Sequence, residues 1–354
     1  MTLTKTKHLL KTGIKALLAV SLSVGSELAS AQDPPPITGQ PRVYAPPLLD
    51  WPTDFAPKTP DLTEPTSNRI YDLHMQMGDC SAFDIVLSTS GNYHMALTEF
   101  WYQEVLKKYD IQNWYFSTSP PIGVEQTQNE ALGYSNIALH CPPHIVVGPQ
   151  GIMDALKANQ LMEGEPTPLF TNRGNVILVK KGNPKNIRTL DDLARADVRV
   201  ATSNPNTEPG SFGNYARMLY RMPLLAKGKA EADAFFASVL GADSGKWVVG
   251  KRIHHREVPH LVYADEADAG LLFYHIARYA RDAFPEEFDI VPLGGTADNP
   301  QPLPGNTIGK LFIARTNVAL TDEQRATREQ VIGEMLSERF GEYLTKHYIV
   351  PVQR

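Results

Sequence analysis

Along most of the chain, short apolar runs alternate with longer stretches in which apolar residues return every three or four positions, the pattern of strands feeding amphipathic helices. Residues 83–87 (FDIVL) read as a strand, followed by the loop Ser88-Thr89-Ser90-Gly91-Asn92. A helix is predicted over 93–107, where Leu97, Phe100, Trp101 and Val105 share a face. Residues 114–116 predict a second strand, 124–132 a second helix, and 145–147 a third strand with a helix over 152–158 behind it. A second series opens at 175–179 (NVILV). Thr189 then stands where a cap would start a short helix, since its oxygen can accept from amides that a first turn leaves free. Strands are predicted at 198–201, 269–273, 290–292 and 308–314, with helices at 215–226 and 230–240. The chain closes on helix from Thr321, where Gln324 completes a capping box, with an apolar stripe of Ile332, Met335, Leu336, Phe340, Tyr343 and Leu344. This alternation predicts an α/β fold.

The first segment departs from the pattern. Lys5, Lys7, Lys11 and Lys15 precede an apolar stretch at 16–24, and Ala29-Ser30-Ala31 supplies the small residues a signal peptidase accepts. Residues 1–31 therefore read as a secretory signal, with an apolar part too short for a permanent membrane helix. No Cys stands at the cleavage point, so no lipid anchor is expected. Residues 32–66 carry ten prolines and read as an extended arm, a tether or surface strap that Trp51 and Phe55 could pin. The roughly 290 residues beyond suit one large or two medium domains. No later segment is apolar for long enough to span a bilayer, so no stable membrane insertion is expected.

Net charge changes the picture only by exclusion. The formal charge is −5 with both signs interspersed, so no basic stripe marks a nucleic-acid partner. An anion would have to be held by local dipoles. Cys80 and Cys141 each precede a strand-like run by three or four residues. If those runs are neighbouring parallel strands in an exported protein, a disulfide is expected; the alternative is two buried free thiols.

In open α/β sheets, ligands collect beyond the carboxyl ends of strands, where helix N-termini present unpaired amides and partial positive charge. Three loops have this makeup: Ser88 to Asn92, Gly148-Pro149-Gln150-Gly151, and Ser203 through Ser211. The first adds hydroxyls from Ser88, Thr89 and Ser90.

Residues 170–215 read FTNRGNVILVKKGNPKNIRTLDDLARADVRVATSNPNTEPGSFGNY, and 266–273 read EADAGLLF. Both resemble periplasmic molybdate- and tungstate-binding proteins, in which a crossover strand leads to "KKGNP", a "TLDDL" helix, an "NPxxxPxG" loop and an "EADAGxxY" return strand. The clear likeness covers about a third of the chain. It implies a two-lobed type II periplasmic binding protein fold, each lobe a central, mostly parallel sheet flanked by helices. Lobe one would comprise 67–172 and 276–354, and lobe two 173–275, with crossings near Asn172-Arg173-Gly174 and Tyr274-His275. It further implies a monomer without cofactors that hands a small oxyanion to an ABC transporter permease. By position, the family's ligand loops fall on Ser88, Thr89 and Ser90, on Gly148 where relatives have a serine, and on the loop Thr207 to Ser211 with Gly210. Glu208 stands where some tungstate binders place a metal-coordinating carboxylate. A fourth position falls on His255. The cleft tyrosine falls on Phe273, with Tyr274 one place on. A phenyl ring donates no hydrogen bond, whereas an imidazole can.

Arg252-Ile253-His254-His255-Arg256 would suit an anion in a closed cleft, or equally a solvated basic turn before a strand. A divalent metal on His254, His255, Glu257 and His260 is an alternative, although adjacent histidines seldom converge on one ion. No G-x-S-x-G, H-E-x-x-H or P-loop pattern points to an enzyme, and Ser90 with His94 is explained by cap and surface roles. An organic-anion receptor or a sensor subunit fits the same residues.

Overall fold

The computed structural model describes residues 33–44, 71–74, 83–117, 131–134, 137–140, 142–241, 245–251 and 254–354. The signal expected over 1–31, Trp51, Phe55, Arg252, and the expected Cys80–Cys141 disulfide lie outside the described residues.

In chain order the first half holds β1 (Arg42–Tyr44), β2 (Tyr71–His74), β3 (Ile85–Thr89), helix α1 (His94–Phe100, continued to Tyr109 through a π-helical turn), β4 (Trp114–Ser117), the hairpin β5 (Ala131–Tyr134) and β6 (Ile137–His140), β7 (Ile145–Pro149), α2 (Gln150–Ala158), β8 (Met162–Thr171) and β9 (Asn175–Lys180). Then come β10 (Val200–Thr202), α3 (Pro209–Lys227), α4 (Lys229–Leu240), β11 (Trp247–Gly250), α5 (His254–Tyr263), β12 (Ala269–Phe273), α6 (Tyr274–Ala283) and β13 (Phe288–Pro292). The chain ends with β14 (Lys310–Thr316), α7 (Asp322–Met335), α8 (Glu338–Lys346) and β15 (Val350–Pro351).

These strands form two large sheets, each the centre of a lobe. The first has the order β15-β8-β14-β7-β3-β4-β2, the second β1-β11-β10-β12-β9-β13. β3, β11 and β12 are buried at every position, as strands packed on both faces are. Each lobe has its own core. Ile85, Leu87, Phe100, Trp101, Ile313 and Phe340 pack in the first, and Val176 to Val179, Leu219, Phe236, Val248 and Leu271 in the second.

Several expectations need correction. The second sheet pairs β1, β11, β10 and β12 in parallel, as expected. In the first, parallel pairing is confined to β3 with β4 and with β7; β14, β8, β15 and β2 add antiparallel pairs, so that sheet is mixed. The helix expected over 124–132 falls mostly outside the described residues, and its last two belong to strand β5. The lobe boundary expected at Tyr274-His275 lies too early. β13 pairs antiparallel with β9, Ile290 opposite Leu178, and Ile276, Ala277 and Ala280 of α6 pack into the second core. Sheet membership thus keeps the chain in the second lobe until it returns near 306–309.

Over its described part, residues 33–44, the proline-rich arm packs against the second sheet. β1 adds a parallel edge strand to β11, Gly39 N–H donates to the Leu240 carbonyl at 3.2 Å, and Arg42 meets Glu266 at 2.5 Å. A Cβ on Gly39 would lie 2.2 Å from that carbonyl oxygen, so only glycine permits the approach.

Asparagines fasten the two crossings. Asn172 Oδ1 accepts from Gly174 N–H at 3.0 Å and Gly309 N–H at 2.9 Å. Asn306 Oδ1 accepts from the backbone and side-chain amides of Asn175, and its Nδ2 donates to the Asn175 carbonyl at 2.9 Å. Asn214 Nδ2, on α3, donates to Asn175 Oδ1 at 2.9 Å. All four asparagines are buried, so each lost bond leaves a polar group without water. Asn306→Ala is expected to lower stability by about 2 kcal/mol in urea unfolding; an unchanged midpoint would mean that the crossings are held by packing alone.

Candidate functional site

The carboxyl ends of β3, β7, β10, β11 and β12 from the two sheets meet around one cavity of about 350 Å³. From the first lobe come Ser90 and Gly91 after β3, and Gly148, Pro149, Gly151 and Ile152 from β7 into α2. From the second come Glu208, Gly210 and Ser211 at the start of α3, His254 and His255 at the start of α5, and Phe273 at the end of β12. The crossings add Asn172, Thr307 and Gly309. Besides α5, whose His254 N–H is taken by Glu208, three helical starts line the cavity: the short turn Gly91–Tyr93 before α1, α2, and α3, with their first-turn amides and positive dipole ends.

Local sequence explains how each piece is aimed. Pro209 occupies the first helical position of α3, where its missing N–H costs nothing. The loop before it is tied down by Asn204, whose Nδ2 donates to the Gly250 carbonyl at 2.8 Å and whose Oδ1 accepts from Asn206 N–H at 2.9 Å. That tie links the end of β10 to the end of β11 and places Glu208. Glu208, 3% exposed, then takes two bonds from α5: His254 N–H to Oε2 at 2.7 Å and His254 Nδ1 to Oε1 at 2.9 Å. The carboxylate expected to complete ligand coordination is thus occupied in orienting an imidazole.

Four residues that line the cavity each hold a buried side-chain atom with no hydrogen-bond partner among the described residues: Ser90 Oγ, His254 Nε2, His255 Nε2 and Thr307 Oγ1. Buried polar groups are nearly always paired, so a convergent set of unpaired ones is the mark of a place where a ligand completes the network. Exposed Arg217 and Lys310 stand at the rim.

Behind the cavity the lobes touch. The His94 ring of α1 stacks on the His255 ring of α5, centroids 4.7 Å apart and 24° between planes, and meets Tyr279 edge-on at 5.5 Å. Met95, beside it, joins the second lobe's core. His94 Nδ1 bonds the Gly91 carbonyl at 3.1 Å, so the proton sits on Nδ1. Burial, then the Arg256 charge, holds His94 well below the ordinary histidine range; burial followed by its histidine neighbours does the same to His255. Both rings are neutral at pH 7.

Of the predicted residues, Ser90, Gly148, Glu208, Gly210, Ser211, His255 and Phe273 reach this cavity. Ser88 and Thr89 are buried within β3 and do not line it. Tyr274 points away, its hydroxyl donating to the Asp298 carbonyl at 3.0 Å. Phe273 packs between Tyr215 and His275 as an apolar wall. The segment expected as a solvated basic turn is, from His254 on, a helix with eight buried residues. Among the described residues no group of three or more His, Cys, Asp or Glu is arranged to hold a metal, against the alternative built on His254, His255, Glu257 and His260. Sequence reasoning missed Asn172, Asn214 and Thr307 as site residues; the crossing before Gly174 was the available signal for the first.

Comparison with known proteins places this geometry. The model of a family described as bacterial extracellular solute-binding protein matches residues 134–310, half of the chain. The uncharacterized protein YvgK of Bacillus subtilis is 32% identical over 160 residues, covering 42% of this chain; the match spans 45% of that relative, under half its length. Among solved structures, L-phospholactate-bound PEB3, a Campylobacter jejuni protein, aligns with a TM-score of 0.50 at 17% identity over 75% of this chain and 99% of its own. The sulfate-binding protein SubI from Mycobacterium tuberculosis H37Rv aligns with a TM-score of 0.51 at 16% identity over 76% and 87%. At such identities the two structures speak for the fold. With two lobes, two crossings and a cleft between them, this chain belongs to the bacterial extracellular solute-binding proteins.

Proposed function

We propose that this protein is exported, captures a small oxyanion between its lobes, and delivers it to a membrane permease of the ABC type. The observation that carries the reading is the convergence on one cavity of three helical starts with Ser90, Thr307, His254 and His255, residues that each hold an unpaired buried polar atom. Each first-turn amide and hydroxyl can donate to an anionic oxygen, and the helix dipoles favour negative charge there. The carboxylate at the site, Glu208, has both oxygens engaged by His254, which reduces its repulsion of an anion. The residues expected as ligand contacts are retained in this proposal where they line the cavity. Molybdate and tungstate head the candidate ligands through the resemblance of residues 170–215 and 266–273, although Gly148 and Phe273 lack the side-chain donors those relatives use.

Thermal unfolding with molybdate, tungstate, sulfate, phosphate, arsenate and small carboxylates tests this. A ligand of the folded state present at 100 times its Kd adds about 2.7 kcal/mol of stability. At least one anion should raise the midpoint by several degrees. Ser90→Ala and His255→Ala should each weaken that ligand about tenfold, the worth of a hydrogen bond to a charged group. A shift with a divalent metal or a neutral sugar, and with no anion, would overturn the reading.

A further inference from the structure

α3 lays one stripe of its surface along the cavity. Gly210, Asn214 and Arg217 stand at i, i+4 and i+7, one face of a helix, and all three line it. The Arg217 side chain runs back towards the helix start, as helical side chains do. Its Nη1 lies 3.4 Å from where a Cβ on Gly213 would stand, over a residue with no side chain to displace it. On the first lobe, Lys310 opens β14 at the same cavity, directly after the Gly309 amide that Asn172 holds.

Formal charge on the lining is confined to few groups: apart from the histidines, these are Glu208, Arg217 and Lys310. Glu208 is buried, with both oxygens engaged by His254. Arg217 and Lys310 are exposed, and neither forms an ion pair among the described residues. Lys227, farther along α3, pairs with Asp191, and Arg315, farther along β14, pairs with Glu329. Two uncompensated cations, one from each lobe, thus share one cavity in a chain of formal charge −5.

Resting on the anion reading above, we propose that Arg217 and Lys310 read the charge of the ligand, so that the cleft selects a dianion over a monoanion of the same shape. Helix starts and hydroxyls recognise oxygens. Full charges on both lobes add a Coulomb attraction that grows in proportion to the ligand's own charge, and affinity depends exponentially on that energy. A cation worth about threefold in affinity to a monoanion, an ordinary value for an exposed charge, is therefore worth about ninefold to a dianion.

Calorimetric titration of the mature chain with two pairs of tetrahedral ions tests it: tungstate against perrhenate, and sulfate against perchlorate. Each pair matches in shape and differs by one charge. In at least one pair the dianion should bind about tenfold or more tighter. Arg217→Gln and Lys310→Gln should each weaken the dianion about ninefold and its monoanion about threefold, narrowing the preference about threefold. Arg217→Lys and Lys310→Arg, which keep the charge, should preserve it. Both side chains are exposed, so neither loss strands a buried group. Where the monoanion binds too weakly to titrate, the dianion decides. Raising the ionic strength from about 0.01 to about 0.15 M shortens the Debye length from about 30 to about 8 Å, and the affinity lost should be smaller in each neutral variant. Equal losses for both ions of a pair, or neutral variants that bind and screen as the native chain does, overturn the proposal and leave the anion reading standing. If none of the four ions binds, the proposal fails; the anion reading fails with it only if phosphate, arsenate and the small carboxylates fail too.

Discussion

Glu208→Ala is expected to weaken ligand binding by about 100-fold, the largest loss for any single change in the cleft that spares the ligand-facing atoms themselves. The carboxylate is buried at the start of α3 and holds both the backbone N–H and Nδ1 of His254. Its removal strands two buried donors at about 1–3 kcal/mol each and frees the imidazole to turn, and about 1.4 kcal/mol corresponds to tenfold in affinity. Glu208→Gln keeps the size and one acceptor oxygen, so it should lie between the two. The measurement is calorimetric titration with whichever anion most stabilises the native chain, beside a thermal melt without ligand. A positioning role requires affinity to fall further than the melt alone accounts for. Tighter binding by Glu208→Ala would show instead that the carboxylate acts mainly as a negative charge beside an anion, and would end this account of it.

Lowering the pH from 7.5 to 5 is expected to cost several kcal/mol of folding stability. His144 is pushed down to about 4 by burial and then by the Arg328 charge, and His94 and His255 are held well below the ordinary range by burial first. A histidine with a depressed value when folded stays neutral in the native state while its unfolded counterpart gains a proton below about 6.5. The unfolded state therefore binds more protons, and stability falls as pH drops from 6.5 towards the folded value. By pH 5 this amounts to about 2 kcal/mol for His144 alone. Ordinary carboxylates titrate at about 4 and the paired Glu99, Glu329 and Glu334 are lowered further, so the window from 6.5 to 5 belongs to the histidines. Urea unfolding at the two pH values reads the difference directly. His144→Gln should remove a distinct part of it, and a flat profile between pH 6.5 and 5 in the native chain would contradict the neutral state of these rings. Protonating either member of the His94–His255 stack also places a charge between the lobes, next to Arg256.

Much of this protein was legible before its structure. Apolar runs such as NVILV and AGLLF become central strands because both of their faces are buried, and burial leaves its mark directly on composition. Caps are equally local: Thr321 and Gln324 form their box within three residues. The resemblance in residues 170–215 led to the fold family, and the loops after β3, β7 and β10 were identified as those that meet at the cleft. β8 was missed because MEGEPTPLFT is half exposed and interrupted by Gly164, Pro166 and Pro168; only its pairing with β14 and β15 makes it a strand.

What the chain's order alone did not carry is which groups are already spoken for. Glu208 looks like a ligand carboxylate until His254, 46 positions away, engages both of its oxygens. His254 and His255 look like a solvated basic turn until α5 is packed between the second sheet and the first lobe, where two nitrogens lose water without gaining a partner. The lobe boundary moved from Tyr274 to near Thr307 because β13 pairs with β9, a long-range choice that no local pattern records. Local residue chemistry thus determined the elements, the caps and the kind of loops that bind. Tertiary packing decided which polar atoms are satisfied and which remain to receive a ligand, because hydrogen bonding and desolvation depend on neighbours that the chain brings together only when folded.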